Sequence, residues 1–561
     1  MSRIVLKNGD IYTANDSMPW AKTLVINDDI IEYVGNDNPA TDIELMEDTL
    51  VRDLNGQMVI PGFIDSHTHP GMIGKSAWHI ALPWTDDLIE LLEFIQKYAQ
   101  NHPKEEKPFL LFEYYPTNMF DKNGPRKEIL DEIVSDRPVL VQEFGEHMHW
   151  MNSCMLEKMG VNKDTPDPVP GLRMFVRDED GELTGLGKEF VWLLFEETLY
   201  ENIGWRPPLD LTPEIVKPVF DFYTAKGVTA MMAGFTEDEN EIITLQELDK
   251  QGKLNTYYDG AIRCDSLEEL SESIEFLEYL QKNYGNKHFK FNTMKLFLDG
   301  TNESGNCAVI EPFSNDETGM DIGKMALSED EILQYLKILN SKNLDLHVHL
   351  VGDRAFRAMC NAYERLKKEI GGECNTLLTL AHAELIDPAD MKKPAELGII
   401  INWTCRWAGG CYGEKAKLFL GEERWNRMYQ FNPIIESGGI VAFSTDLVAF
   451  NKMNLVAAPL HGIQIAHTRV DPVFPLDPTK YPGSVRLPLS ARISRENLLK
   501  GSTINGAKQM RWDNIMGSLE AGKLANLVVL SENYFDVDAD KIEDIQCEVV
   551  MFEGRVVSGK L

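Results

Sequence analysis

In the stretch Phe63-Ile64-Asp65-Ser66-His67-Thr68-His69-Pro70, a strand-like apolar run ends in two histidines. Side chains alternate between the two faces of a strand, so His67 and His69 point the same way. Imidazole nitrogens are ligands that suit zinc and related metals. An isolated His-x-His pair is mostly coincidence in a chain with 12 histidines. Its meaning therefore depends on what ends the other strands.

Four further strand-like runs also end in polar clusters. They carry Lys295 within 294–300, His347 and His349 within 346–353, His382 and Glu384 within 380–384, and Asp446 within 443–446. Each residue alone has an ordinary explanation, such as a hydrogen-bonded core histidine, a lysine reaching water or a helix-capping aspartate. Chance rarely places nitrogen and oxygen ligands at the ends of so many strands. Because barrel enzymes keep their chemistry at those ends, the joint pattern predicts a metal site.

The middle of the chain alternates strand-like and helix-like runs, which is typical of βαβ units. Nine runs are predicted strands: 58–64, 138–143, 227–233, 256–262, 293–298, 344–350, 377–381, 398–402 and 440–443. The run 138–143 falls in a long gap that contains its own hairpin signals, so we assign it to an insertion. The remaining eight strands predict an α/β fold, a TIM-like (β/α)8 barrel.

Both ends of the chain read as short strands separated by turn residues. We expect the two ends to fold together as a small β-sandwich, although two separate β caps would give the same pattern. The predicted domains are a β-sandwich of 1–61 plus 515–561, a barrel of 62–71 plus 206–514, and an inserted α/β subdomain of 72–205.

Composition excludes several classes of partner. The chain has 561 residues with 55 Lys and Arg against 89 Asp and Glu, a formal net charge of −34. Such an acidic chain is a poor match for nucleic acid, whose phosphates need clustered cations. No apolar run approaches the length that spans a bilayer, and the start of the sequence has no secretory pattern. With scattered cysteines and no CxxC pair, these features predict a cytoplasmic protein without a membrane partner.

Several short motifs at these positions match one known family. They are 61–69, Glu146-His147 with Trp150 and Asn152-Ser153, Thr184-Gly185 with Glu189, Lys295 with Asp299-Gly300, His349 with Gly352-Asp353, and 517–523. Together they resemble the metal-dependent amidohydrolase superfamily over essentially the whole chain. Within it, the sequence resembles the amidohydrolase family 3-like branch that includes N-substituted formamide deformylases.

The resemblance implies one or two divalent metal ions per chain, with zinc expected first, and a hydroxide formed on them. It assigns His67, His69 and Asp446 to one ion, His349 and His382 to a second, and a carboxylated Lys295 to the bridge. Carboxylation needs the neutral amine, which burial favours by lowering a lysine pKa.

Two residues are expected to be catalytic by the same resemblance. Asp446 would take a proton from the attacking hydroxide and pass it to the leaving nitrogen. His147 is a candidate for contact with the substrate or the oxyanion, and so are Trp150 and Asn152. Local packing within the insertion is an equal alternative for these three. Of the two histidines in the third cluster, His349 matches the family ligand, and His347 faces the same side.

The expected function is metal-dependent hydrolysis of a non-peptide C–N bond in a small amide, formamide or cyclic amide. Ester hydrolysis, deamination and decarboxylation use the same kind of ligands and stay open, as does a non-catalytic metabolite-binding homologue. Trp403, Trp407 and Tyr412 either form an aromatic wall beside the substrate or belong to the core. The expected partner is a small-molecule substrate, and a homodimer is left open.

Overall fold

A computed structural model describes residues 3–37, 49–121, 123–236 and 238–561, and for Tyr412 only the backbone. Within these residues, eight parallel strands form one sheet in which neighbours in sequence are neighbours in space. We label them β1 (Phe63–Thr68), β2 (Val228–Ala233), β3 (Tyr257–Arg263), β4 (Phe289–Phe297), β5 (Asp345–Leu350), β6 (Leu378–His382), β7 (Ile400–Thr404) and β8 (Ile440–Ser444). The sheet curls into a nearly closed barrel, which confirms the predicted core of the fold.

Helices follow the strands and cover the outside of the barrel. The longer ones are Pro213–Ala225, Glu239–Lys250, Leu270–Tyr284, Glu329–Lys342, Asp353–Ile370, Ala416–Arg427 and Pro459–Thr468, with shorter helices at Lys393–Leu397, Asn432–Glu436, Arg495–Gly501 and Ile504–Gln509. Glu329–Lys342 begins at a capping box between Ser328 and Glu331, and it buries Ile332, Leu336 and Leu339. A repeat of apolar residues every three or four positions drives this packing.

One of the predicted strands corresponds to two separate strands in the structure. The run 58–64 divides at Gly62: Met58–Pro61 pairs with Leu527–Leu530 in another sheet, and Phe63 begins β1. A Cβ atom at Gly62 would lie 2.3 Å from Oγ1 of Thr229, so only glycine allows this close approach to β2. Both halves are fully apolar, and the sequence therefore showed no change between them.

The two chain ends form two sheets. One has four strands, Ile30–Gly35, Thr23–Asn27, Arg3–Lys7 and Thr49–Asp53; the other has six, Arg555–Gly559, Cys547–Phe552, Leu527–Leu530, Met58–Pro61, Asp10–Tyr12 and Trp20–Ala21. Leu6 and Leu24 of the first sheet and Val59 and Val529 of the second belong to one buried apolar cluster. The description of these sheets as a β-sandwich stays a prediction.

A further six-stranded sheet lies between β1 and β2 in the sequence. Its strands, in spatial order, are Phe175–Arg177, Leu183–Lys188, Met148–Met151, Val139–Glu143, Leu110–Tyr115 and Ile80–Ala81. The predicted strand 138–143 is here, outside the barrel. Helices Leu88–Asn101, Lys127–Asp131, Ser153–Lys158 and Glu196–Ile203 accompany it. The Lys188 ammonium donates to the Ser304 carbonyl at 2.6 Å, which ties this insertion sheet to a barrel loop. The predicted domain bounds stay predictions.

Among the helices of the described ranges, none combines the length and the apolar character that crossing a bilayer requires.

The seam between β8 and β1 closes the barrel through individual hydrogen bonds. Ser66 Oγ donates to the Phe443 carbonyl at 2.9 Å. The buried carboxylate of Asp65 accepts two bonds from Thr445, from its backbone N–H at 3.0 Å and its hydroxyl at 2.6 Å. Asp65 thus fixes the residue that precedes Asp446.

We expect Asp65→Ala to lower the free energy of unfolding by about 2 kcal/mol or more. The substitution leaves the buried Thr445 N–H without its acceptor and leaves the Thr445 hydroxyl only the 3.4 Å contact with the Tyr223 hydroxyl, and an unsatisfied buried group costs roughly 1–3 kcal/mol. Urea denaturation followed by tryptophan fluorescence measures the loss. Asp180→Ala, which removes an exposed carboxylate, is the control and should keep the wild-type midpoint. Equal midpoints for both variants would show that the seam does not depend on Asp65.

Candidate metal centre

Three predicted ligands converge at the seam of the barrel. His67 and His69 come from the end of β1, and Asp446 lies just after β8. One potential ligand atom from each residue lies within 4.8 Å of those of the other two. Oδ1 of Asp446 is 3.3 Å from Nε2 of His69 and 3.7 Å from Nε2 of His67. Two nitrogens and one carboxylate oxygen with this spacing are suited to a single divalent ion.

Unusual backbone conformations present these side chains. Asp446 has φ 47° and His382 has φ 71°, in the left-handed region that side chains other than glycine seldom adopt. Each such residue costs of order 1–3 kcal/mol and persists where surrounding structure enforces it, often at functional sites. Here the Asp446 N–H donates to the His67 carbonyl at 2.9 Å, which holds the turn against β1.

Lys295 lies inside the barrel beside His67. Its Nζ is 3.4 Å from Nε2 of His67, and its side chain is fully buried on β4. Burial lowers the pKa of Lys295 to about 7, although the Asp446 carboxylate opposes the shift. The predicted bridging residue is therefore at the site, and near neutral pH a large share of it is an uncharged amine.

His349 and His382 form the other side of the group. Their ring centroids are 4.4 Å apart, and Nδ1 of His382 is 3.7 Å from Oδ2 of Asp446. Burial keeps the pKa of both imidazoles well below the usual value, so both are neutral, the state that binds metals. Nε2 of His349 and Nδ1 of His382 make no hydrogen bond within the ranges that the structure describes.

His347 orients His67. Its Nε2 shares a 3.0 Å hydrogen bond with Nδ1 of His67, so Nε2 of His67 is the nitrogen that faces Asp446 and Lys295. Such a partner fixes the ring orientation and tautomer of a metal-binding histidine. His347 therefore acts through His67.

His147 reaches the site from the insertion sheet. Its ring centroid is 5.4 Å from that of His349, and its Nδ1 is 2.7 Å from Oε2 of Glu189. Burial lowers the pKa of His147, but the Glu189 carboxylate outweighs it and raises the pKa to about 9. Asn306 donates to the other oxygen of Glu189 at 2.9 Å. His147 is thus a protonated donor over the mouth of the barrel.

Trp150 and Asn152 do not share this position. The Trp150 ring is fully buried, and its Nε1 donates to the Arg126 carbonyl at 2.9 Å. The Asn152 side chain caps a helix by accepting the Met155 N–H at 2.8 Å. Both side chains make the contacts expected of local packing, and neither lines the cavity beside the predicted ligands.

A cavity of about 160 Å³, here called the reaction cavity, is lined by all six predicted ligands and by His147. Trp407 also lines it, with its ring centroid 5.2 Å from that of His382. Trp403 instead packs against Phe431 and Phe443 in the core. The expected aromatic wall therefore contains Trp407 but not Trp403, and the side chain of Tyr412 lies outside the described part of the chain.

Two residues near the site, Asn306 and Lys452, were not predicted from the sequence. Asn306 lies in the irregular segment between β4 and the next helix, and it supports Glu189. Lys452 follows β8, and its buried ammonium donates to Glu146 at 2.5 Å and to the Phe144 carbonyl at 2.8 Å. Neither lies in a periodic stretch, so no local pattern marks them.

Comparison with known proteins agrees with this geometry. The sequence model of the amidohydrolase family matches residues 50–558. The chain belongs to the amidohydrolase family. The match confirms the resemblance seen in the motifs, and it spans the barrel, the insertion and the C-terminal strands, while the strands before residue 50 lie outside it.

Individual proteins are similar to this chain over most of its length. The exoenzymes regulatory protein AepA of Pectobacterium carotovorum subsp. carotovorum is 27% identical over 77% of this chain and 92% of its own. An N-substituted formamide deformylase of Arthrobacter pascens is 22% identical over 97% of this chain and 96% of its own. A metal-dependent hydrolase from Pyrococcus horikoshii OT3 superposes with a TM-score of 0.68 and 21% identity, over 96% of this chain and 99% of that chain. These likenesses show a common fold.

Gly234 tests whether this amidohydrolase can hold an ion between its two β1 histidines. It follows β2, and a Cβ atom at this position would lie 2.5 Å from Nε2 of His67 and 2.6 Å from Cε1 of His69. A side chain here would occupy the space that the two imidazoles face. The donor atoms and the space around them therefore fit a metal ion.

We expect Gly234→Ala to lower the metal content of the purified protein at least tenfold while the protein still folds. The added methyl displaces both imidazoles from a shared ligand geometry. Elemental analysis gives the metal content, and circular dichroism reports the fold. Gly372→Ala, where a Cβ atom meets nothing within 4 Å, is the control and should keep the wild-type content. Full metal content in Gly234→Ala would place the ion elsewhere.

Proposed function

We propose that this amidohydrolase is a metal-dependent hydrolase that cleaves a non-peptide C–N bond in a small amide, formamide or cyclic amide. The observation that carries the proposal is the convergence of His67, His69 and Asp446 beside a buried Lys295. Family membership supports hydrolysis, and the N-substituted formamide deformylase among the relatives favours this substrate class.

The donor set favours zinc, because imidazole nitrogens with one carboxylate are ligands that zinc commonly takes. His67, His69 and Asp446 would hold one ion. His349 and His382, both neutral and with a ring nitrogen that makes no hydrogen bond in the described ranges, would hold a second. Such an ion lowers the pKa of water and polarises a carbonyl group.

The remaining chemistry falls to side chains of this chain. Asp446 accepts the proton of the attacking water at a carboxylate oxygen and donates it to the departing nitrogen. His147, kept protonated by Glu189, donates a hydrogen bond to the carbonyl oxygen as negative charge develops there. Burial of the ligands keeps bulk water away and strengthens both interactions.

The proposal includes a cytoplasmic location and a small-molecule substrate. All eight cysteines are free in the structure, which supports a reducing compartment. Ester hydrolysis, deamination, decarboxylation and metabolite binding without turnover are the competing outcomes. A panel of formamides, acylamides, lactams and imides, with esters and amino-heterocycles beside them, separates these alternatives when tested with metal-loaded protein.

We expect Asp446→Asn to reduce kcat by at least about 10²-fold on whichever amide the wild type turns over. Asparagine keeps the shape and can offer an oxygen, but it cannot accept a proton, and general acid–base groups contribute typically ~10²–10⁴-fold. Steady-state kinetics and metal analysis of the same sample separate proton transfer from ion loss.

Asp471→Asn is the control, since Asp471 is also buried but lies outside the reaction cavity. It should stay within about threefold of the wild-type kcat. If Asp446→Asn with full metal content stays within about tenfold of wild type, Asp446 is not the proton carrier.

We further propose that Lys295 is carboxylated. Its amine adds to CO₂, loses one proton and becomes a carbamate with two anionic oxygens, which can bridge two cations as an ammonium cannot. We expect metal-free protein to regain activity faster when bicarbonate accompanies the metal. Lys295→Ala should be nearly inactive, with partial rescue by short carboxylic acids that fill the vacated space.

Recovery at the same rate in CO₂-depleted and bicarbonate buffers would contradict carboxylation. Lys290→Ala is the control for the same strand, because the Lys290 ammonium instead donates to the Met510 carbonyl at 2.6 Å. Its reactivation should show the bicarbonate dependence of the wild type.

A further inference from the structure

A second and larger cavity adjoins the reaction cavity. This side cavity has a volume of about 770 Å³ and lies between the insertion sheet and the barrel helix Leu270–Tyr284. Phe190, Leu193 and Phe235 line both cavities. The Phe235 ring centroid is 4.9 Å from that of His69. Only the Phe235 ring therefore separates the side cavity from His69, a predicted metal ligand.

The two volumes divide the space for a substrate. Ligand-binding pockets in proteins typically have volumes of ~300–1,000 Å³. The reaction cavity, at about 160 Å³, is too small for more than the reacting group and a few atoms. The side cavity, at about 770 Å³, is within the usual range. The two adjoining cavities together have room for a substrate larger than a small amide.

Aromatic rings line the side cavity. His149, Phe190 and Trp192 form a continuous wall, with the His149 ring centroid 5.0 Å from that of Phe190 and 6.2 Å from that of Trp192. Trp78 and Phe276 line the same cavity. Aromatic rings attract one another beyond the effect of the area they bury, so these walls suit an aromatic group of a ligand.

The charge of the side cavity disfavours an anion. Of the cations in its described walls, Lys75 lies 2.8 Å from Asp238, and Arg263 lies 2.7 Å from Asp265, which Arg173 also contacts at 3.4 Å. The described walls also carry the carboxylates Glu113, Glu196, Glu269 and Glu272. Burial lowers the pKa of His149 to about 3, so this imidazole is neutral. The carboxylates of the described walls therefore outnumber the cations, which makes the cavity a poor site for an anion.

We propose that the side cavity binds an arm of the substrate, an uncharged aromatic group attached to the amide that reacts in the neighbouring cavity. This inference rests on the proposed function and deepens it. It makes Trp192 and His149 specificity residues for the N-substituent, and an amide or formamide that carries such a group becomes a better substrate than one without it.

Ser273 provides the test. It lines the side cavity from the first turns of helix Leu270–Tyr284, whereas Ser271 on the same helix is exposed and lines neither cavity. Ser273→Trp fills part of the cavity, and Ser271→Trp adds the same ring to solvent. The substrates are N-(6-methoxynaphthalen-2-ylmethyl)formamide, its carboxylate analogue with CO₂⁻ in place of the methoxy group, and N-methylformamide.

We expect wild-type kcat/KM for the methoxynaphthyl compound to exceed that for N-methylformamide at least ~10-fold, since apolar contacts discriminate by about 10–200-fold. Ser273→Trp should reduce that ratio at least tenfold, mainly through KM, and Ser271→Trp should leave it within twofold. The carboxylate analogue should be at least tenfold poorer. A ratio unchanged by Ser273→Trp overturns the inference, and a carboxylate analogue that is equally good overturns the charge assignment.

Equilibrium binding separates this inference from the proposed function. Chelator-treated protein should bind the methoxynaphthyl compound, as measured by naphthalene fluorescence, with affinity lowered at least tenfold by Ser273→Trp. Binding with this dependence but no turnover by metal-loaded protein would refute the proposed hydrolysis and keep the side cavity. Turnover by metal-loaded protein, with binding that Ser273→Trp does not weaken, would support the proposed hydrolysis and refute the role of the side cavity. If Ser273→Trp does not fold, Trp192→Phe shortens the aromatic wall and should raise KM for the large compound about threefold or more.

Discussion

The carboxylate of Asp446, with its side chain only 14% exposed at the seam of the barrel among three imidazoles, is the group on which the rest of the site depends. Removing a carboxylate from water is costly unless a cation or several donors compensate it. Burial raises the pKa of Asp446, but the hydrogen bond with His69 and the nearby Lys295 and Arg406 outweigh burial and lower the pKa. His67 and His382 add no full charge, because burial keeps the pKa of each well below its usual value. A divalent cation held by these groups would satisfy the carboxylate and the ring nitrogens together.

Hydrogen bonds at some distance hold this arrangement in place. Asp65 binds Thr445 and so fixes the chain entering Asp446. The carboxylate of Asp299 accepts the backbone N–H groups of Ala308, Val351 and Gly352 at 2.8–2.9 Å. It therefore joins the segment after β4 to the end of β5, where His349 lies. The motifs Asp299-Gly300 and Gly352-Asp353, which accompany Lys295 and His349 in the sequence, thus build the rim of the barrel and not the group of predicted ligands.

The sequence predicted the barrel and the ligand group for one physical reason. Alternation along a strand and the shared edge of parallel strands place residues such as His67, Lys295 and His349 together without knowledge of any loop. The division at Gly62 was missed because the side chains on both sides are equally apolar. The roles of Asn306 and Trp407, and the side cavity itself, depend on how the insertion and loops pack across the barrel. Local patterns do not encode such long-range packing.

If His67, His69 and Asp446 hold a divalent ion at the barrel mouth, anomalous diffraction from crystals of zinc-loaded protein will locate it when data are measured on both sides of the zinc absorption edge. The expected anomalous peak lies about 2.0–2.2 Å from a nitrogen of each of the two histidines and an oxygen of Asp446. The absence of a peak at these side chains in crystals that hold zinc elsewhere would contradict this placement of the ion.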